Sequence, residues 1–172
     1  MLGLLMGATG LGAFAASVYL ASRRSVRGLI GQIARASALL SLGLITLSLA
    51  RSTSVAAVAL FVTGFGMIVQ LAAGNTVLQT LVEEDKRGRV MSLYLMAFMG
   101  MTPWGSLLAG ALANHVGVSR TLMAQGILGL AGALVFARQL PRIRAVVRPI
   151  YVKMGIIDEL SGLMLKSPVR NG

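Results

Sequence analysis

Five long apolar stretches, separated by short segments alternately rich and poor in Arg and Lys, constrain this chain more than any other feature. They run Leu2–Ser22, Leu29–Ala50, Val55–Val82, Val90–Ala113 and Val118–Ala137. About 20 residues of α-helix, at a rise of about 1.5 Å each, cross a hydrocarbon layer about 30 Å thick, so every stretch is long enough to span a membrane. Backbone amides in lipid are satisfied only within a helix or a closed barrel, and runs this long without alternation point to helices. With 56% hydrophobic and only 12% charged residues in a chain of 172, too little polar surface remains for a soluble domain. The expected fold is therefore an all-α integral membrane bundle of five transmembrane helices. The odd number of spans suggests that upstream helices are missing, because an uncharged first helix starting outside at residue 2 is awkward to insert.

A net charge of +11 would suggest nucleic-acid binding in a soluble protein, so the placement of the cations decides the matter. Arg23, Arg24, Arg27 and Arg35 follow the start of the first gap, and Lys86, Arg87 and Arg89 fill the third. Arg138, Arg142, Arg144, Arg148, Lys153, Lys166 and Arg170 follow the fifth stretch, leaving only Arg51 and Arg120 in the alternate gaps. Cytoplasmic loops carry the excess of Lys and Arg. The expected topology is thus an outside N-terminus and a cytoplasmic C-terminus in the cell inner (plasma) membrane. The lipid bilayer is the expected partner, and nucleic acid is not. There is no Cys, so neither disulfides nor thiolate metal sites are possible, and the lone His115 lies in an external gap as a solvated residue. The first stretch has no preceding cationic segment, so no cleavable signal peptide is evident.

Along the chain, Ala8, Gly12 and Ala16 of the first stretch share one helical face, a small-residue ridge on which a neighbouring backbone can pack. The second stretch offers only Ser37, Ser41 and Ser48 as mild polar points, with Arg35 close enough to its start to snorkel to the interface. The third is the longest and most polar. Gln70, Asn75 and Gln79 lie within it beside Thr63, Thr76 and Thr80. Intramembrane amides cost free energy unless paired, so they belong against other helices or a water-filled cavity. Asn75 and Gln79 are i, i+4 neighbours and Gln70 lies about 140° away, giving a broad polar face. Interhelical hydrogen bonding and a cavity wall are both open readings of it.

The segment Glu83-Glu84-Asp85-Lys86-Arg87-Gly88-Arg89 reads as a tight cytoplasmic turn, acids ending one helix and bases beginning the next. Helix dipoles alone favour the reverse, so the charges are expected to pair with one another or with a neighbouring loop. In the fourth stretch Pro103 removes a backbone donor and predicts a helix kink near Met99–Pro103, beside Trp104. The fifth contains Gly129, Ala133 and Ala137 at ridge spacing. After it, a boundary at 138 separates the transmembrane bundle, residues 1–138, from a basic cytoplasmic tail, 139–172. The apolar residues of that tail, Ile143, Val146, Val147 and Ile150 and then Ile156, Ile157, Leu160, Leu163 and Met164, predict two short amphipathic helices on the inner leaflet.

No metal-ligand cluster, P-loop, nucleophile–base pair or intramembrane carboxylate is present in the sequence. An enzyme is not expected, and no cofactor or metal is.

The run from Asn75 through Thr76, Val77, Leu78, Gln79 and the charged segment to Arg87-Gly88-Arg89-Val90-Met91-Ser92-Leu93-Tyr94, continuing through Gly100, Pro103, Gly105, Gly110 and Gly117, resembles the later helices of major facilitator superfamily transporters. The string Arg87 to Tyr94 with the Gly/Pro pattern after it is most similar to the branch containing enterobactin-type siderophore exporters and macrolide-type efflux permeases. Arg148-Pro149-Ile150-Tyr151-Val152 resembles the same branch. That resemblance implies a twelve-helix fold of two six-helix halves, of which this chain would supply helices 8 to 12 and the tail. The loop Ser22–Gly28 stands where the family has Gly-x-x-x-Asp-Arg-x-Gly-Arg-Arg but has no Asp, so the charge relay expected there is degenerate.

By the same resemblance, the first, third and fourth stretches would line a central cavity. Gln70, Asn75, Gln79, Tyr94 and Trp104 become candidate substrate contacts, the amides as polar anchors and Trp104 as an apolar or stacking wall. Glu83, Asp85, Arg87, Gly88 and Arg89 would belong to a cytoplasmic gate. The expected function is that of a fragment of a secondary active transporter, a proton-driven exporter of a small amphipathic molecule, needing the N-terminal helices that the fragment lacks. The alternatives are a non-transporting truncated membrane protein, a partner subunit packed on another transporter, or a basic-tailed membrane anchor.

Overall fold

The computed structural model describes residues 1–22 and 28–153. Five helices follow one another: α1 (Leu2–Ala21), α2 (Leu29–Leu49), α3 (Thr53–Leu81), α4 (Glu84–Val116) and α5 (Val118–Lys153). All five contain a segment long and apolar enough to cross a membrane. The fold is an all-α membrane bundle. Residues 1–138 make one compact unit and residues 139–172 a second.

Within the first unit α3 is the element on which α1 and α2 pack. The ridge on α1 is the contact face: Gly12 and Ala16 are buried and Ala8 is half-buried. A methyl group at Gly12 would overlap the carbonyl oxygen of Phe61, and one at Gly64 would overlap that of Thr9, so the two backbones touch directly. Further along, Ala16 packs with Val69 and Ala36, and the Tyr19 and Phe65 rings meet at 5.8 Å. The contacts between α1 and α3 run from Thr9 to Tyr19 on one helix and from Phe61 to Val69 on the other. Those between α2 and α3 advance oppositely: Gly43 lies against Ala59 and Thr63, whereas Gly66 lies against Ala36 and Leu40. The same holds for α2 and α5, where the Ser119 hydroxyl donates to the Ser48 carbonyl, Gly126 abuts Ile45 and Gly129 abuts Ser41. Of the expected α5 ridge, Gly129 and the buried Ala133 make the packing face, while Ala137 is exposed.

Local chemistry sets the helix ends. Ser52 caps α3, its hydroxyl oxygen accepting from the Val55 amide at 3.3 Å. Between α4 and α5 a single residue, Gly117, reverses the chain at φ +89° and ψ 152°, a conformation nearly restricted to glycine.

Two expectations are corrected. The segment 83–89 is not a turn with bases opening the next helix. Glu83 is the N-cap of α4, and Glu84 and Asp85 occupy its first turn, where the positive end of the helix dipole favours them. The helix also does not stop at Ala137: α5 continues as helix to Lys153. The helix passes Pro141 and Pro149 without a break, and no glycine lies between Gly132 and Gly155. The first expected tail helix is thus the end of α5. The second, over Ile156–Met164, and the loop residues 23–27 lie outside the described residues.

α4 differs from its neighbours. None of its residues is buried, and it makes little contact with α3. It runs through Pro103 as continuous helix, with the Thr102 hydroxyl donating to the Phe98 carbonyl at 2.7 Å.

Because Gly64 holds two backbones in contact, Gly64→Leu should lower stability by about 1–3 kcal/mol through overpacking. Gly10, exposed with open space around it, should accept Leu within about 0.5 kcal/mol. Denaturant unfolding of the micelle-solubilised chain, followed by circular dichroism, separates the two. In the same assay Gly117→Val should cost about 1–3 kcal/mol, from backbone strain alone.

Candidate functional site

The polar face expected on α3 divides in two. Gln79 Nε2 donates to Asn75 Oδ1 at 2.9 Å, one turn apart, on an open part of the helix surface. The neighbouring hydroxyls are engaged with their own helix: Thr76 donates to the Ala72 carbonyl at 2.8 Å and Thr80 to that of Thr76 at 2.7 Å. The amide pair therefore keeps Asn75 Nδ2 and Gln79 Oε1 for another partner, one donor and one acceptor side by side. α3 has 29 residues, roughly 43 Å of helix, which is longer than a hydrocarbon layer of about 30 Å, and Gln79 lies in its last turn.

Gln70 is elsewhere. It lines a cavity of about 350 Å³ whose other walls come from α2, at Ile33, Ser37 and Ser41, and from α5, at Gly132, Ala133 and Phe136. Asn75, Gln79, Tyr94 and Trp104 are not part of that lining. Ser37 and Ser41 were legible in the sequence only as mild polar points. Their i, i+4 spacing opposite the small residues of α5 was the available signal, but it needed the pairing of α2 with α5 to be read.

On α4, Tyr94 is half-buried and stacks on Phe98 at 6.4 Å with 21° between the rings, while Trp104 is 67% exposed. With α4 touching α3 so little, the described residues do not bring Trp104 to the amides.

The charged segment forms a local network. Lys86 Nζ is 2.6 Å from Glu83 Oε2, and that hydrogen bond, with the opposite charge, raises the Lys86 ammonium above the usual lysine range. Arg87 Nη1 lies 3.9 Å from Glu84 Oε1, while its Nε is buried with no partner among the described residues. Both pairs are exposed and i, i+3, so they contribute little to stability. Asp85, Gly88 and Arg89 are exposed beside them. The antiparallel order of the helices gathers this cluster, Arg35 and Arg138 at one end of the bundle, and places Arg51 and Arg120 at the other.

A helical bundle with these features matches one family model, described as a transmembrane secretion effector, over residues 1–150. No curated protein and no solved structure matches the chain. The match takes in the apolar core of all five helices and most of the chain, and on it this protein belongs to the transmembrane secretion effector family of major-facilitator-type membrane transport proteins.

Proposed function

We propose that this chain is the C-terminal part of a secondary active transporter, its helices corresponding to helices 8 to 12 of twelve, that exports a small amphipathic molecule on the proton gradient. The family match across residues 1–150 carries the reading. The energy source, the direction and the likeness to siderophore- and macrolide-type exporters rest on the resemblance of Arg87–Gly110. Asn75 and Gln79 are the polar anchors for substrate, with one donor and one acceptor unspent. Tyr94 and Trp104 supply an apolar wall, and a bend at Pro103 shapes it. The Glu83–Arg89 cluster, at the cation-rich end, acts in the cytoplasmic gate. That end faces the cytoplasm of the cell inner membrane, with the start of α1 outside.

α4 supports a larger assembly: a helix of 33 residues with none buried lacks the packing that fixes a transport path. Helices N-terminal to Met1 would supply it. The same exposed α4 also suits a second reading, in which the chain is a partner subunit that packs on another transporter without transporting by itself.

Accumulation of a panel of drug-like and siderophore-like compounds, in cells with and without the gene and its upstream reading frame, tests the leading reading. Lower accumulation of at least one compound is expected; equal accumulation across the panel would refute export. Within an active transporter, Asn75→Leu or Gln79→Leu should change the efflux rate severalfold for some substrates while membrane insertion stays normal. Unchanged efflux of every substrate would reduce the pair to packing. The double reversal Arg87→Glu, Arg89→Glu should impair transport or invert local topology, read by labelling of introduced cysteines from either side. Normal topology with normal transport would make this segment a connector only.

A further inference from the structure

The cavity around Gln70 lies about 140° around α3 from Asn75 and about 180° from Gln79, and has chemistry of its own. We propose that it binds a neutral lipophilic molecule dissolved in the bilayer, one with an apolar body and a single hydrogen-bonding group that pairs with the Gln70 amide. This does not depend on whether the chain transports.

Depth comes first. Gln70 lies eleven residues before the end of α3 at Leu81, roughly 16 Å along a helix of roughly 43 Å, hence about 5 Å from its centre. An amide there sits in hydrocarbon, where an unpaired polar group is costly. Hydrogen bonding inside the cavity comes next. The Ser37 hydroxyl donates to the Ile33 carbonyl and the Ser41 hydroxyl to the Ser37 carbonyl, each at 2.8 Å. Gln70 has no hydrogen bond among the described residues, so its amide is the one side-chain donor in the lining left unspent. The rest of the wall is apolar or glycine.

Size agrees: about 350 Å³ is at the small end of ligand pockets, which run from about 300 to 1,000 Å³. A headgroup-bearing lipid fits poorly, because its polar region stays near the interface, well above the depth of Gln70. A charged ligand fits poorly too, because the lining contains no charged side chain. What remains is a compact alcohol-, ketone- or amide-like lipophile that enters from the bilayer.

Photolabelling of the full chain in lipid nanodiscs tests this with two probes, octanol carrying a diazirine on its chain and the matching diazirine-bearing octane. The alcohol should label peptides containing Leu40 or Phe136 several times more strongly than the hydrocarbon does. Gln70→Leu should lower alcohol labelling there about fivefold, the loss of one hydrogen bond, and leave hydrocarbon labelling unchanged. Gly132 has open space around it, so Gly132→Leu fills the cavity without a backbone clash and should remove labelling by both probes. Labelling of the exposed α4 peptide around Trp104 should not change in either variant. Equal labelling by the two probes would assign the cavity to acyl chains and overturn the proposal. So would cavity labelling that survives Gly132→Leu, or alcohol labelling insensitive to Gln70→Leu. Wild-type labelling confined to α4 overturns it without recourse to any variant.

Discussion

Backbone-to-backbone contact on α3 is the constraint from which the rest of the bundle follows. Gly64 and Gly66 are two residues apart, about 200° around the helix, so they open nearly opposite sides of it. On one side Gly64 admits the Thr9 backbone of α1, and on the other Gly66 admits Ala36 and Leu40 of α2. Apolar side chains provide no drive for association in lipid, where the solvent is as apolar as they are, and close van der Waals approach takes that part. Two glycines in the string Thr63-Gly64-Phe65-Gly66 thus hold three helices together. α5 then joins through α2, again at glycines, Gly126 and Gly129. α4 has no such contact. Gly100, Gly105 and Gly110 all have open space beside them, and the helix accordingly buries nothing.

How much of this was legible in the sequence depended on whether the signal was local. The spans were readable because bilayer thickness sets a length that apolar runs either reach or miss. The α1 ridge was readable because i, i+4 spacing puts small residues on one face whatever the partner is. The start of α4 was misread for a definable reason. A charge cluster between two apolar runs looks like a loop when hydropathy is the guide, yet Glu84 and Asp85 are what a helix N-terminus favours. A dipole-based reading would have placed the helix start there. The extension of α5 was missed by the same overreliance on hydropathy, because the helix continues beyond its apolar run and past Pro141 and Pro149 to Lys153.

The candidate site was less legible, since angular separation on one helix does not say which neighbour each residue meets. Gln70 and Asn75 were rightly placed about 140° apart, but grouped as one polar face. That angle is large enough to put them on different partners, and it does: Gln70 faces α2 and α5, whereas Asn75 turns to Gln79. Tyr94 and Trp104 were linked to the amides only through resemblance, and nothing in the described packing makes that link.

Hydroxyl and amide side chains in the bundle are accommodated differently. Serine and threonine hydroxyls at Thr9, Ser37, Ser41, Thr46, Thr63 and Thr76 each donate to a carbonyl one turn back on their own helix. This disposes of a donor in hydrocarbon without requiring a neighbour. The Gln79 amide instead donates to the Asn75 side chain one turn back, whereas the Gln70 amide has no hydrogen bond among the described residues. Replacing Gln70 by leucine would avoid the cost of an unpaired amide near mid-membrane altogether. A polar group arriving from the bilayer, as proposed above, would give that amide its partner.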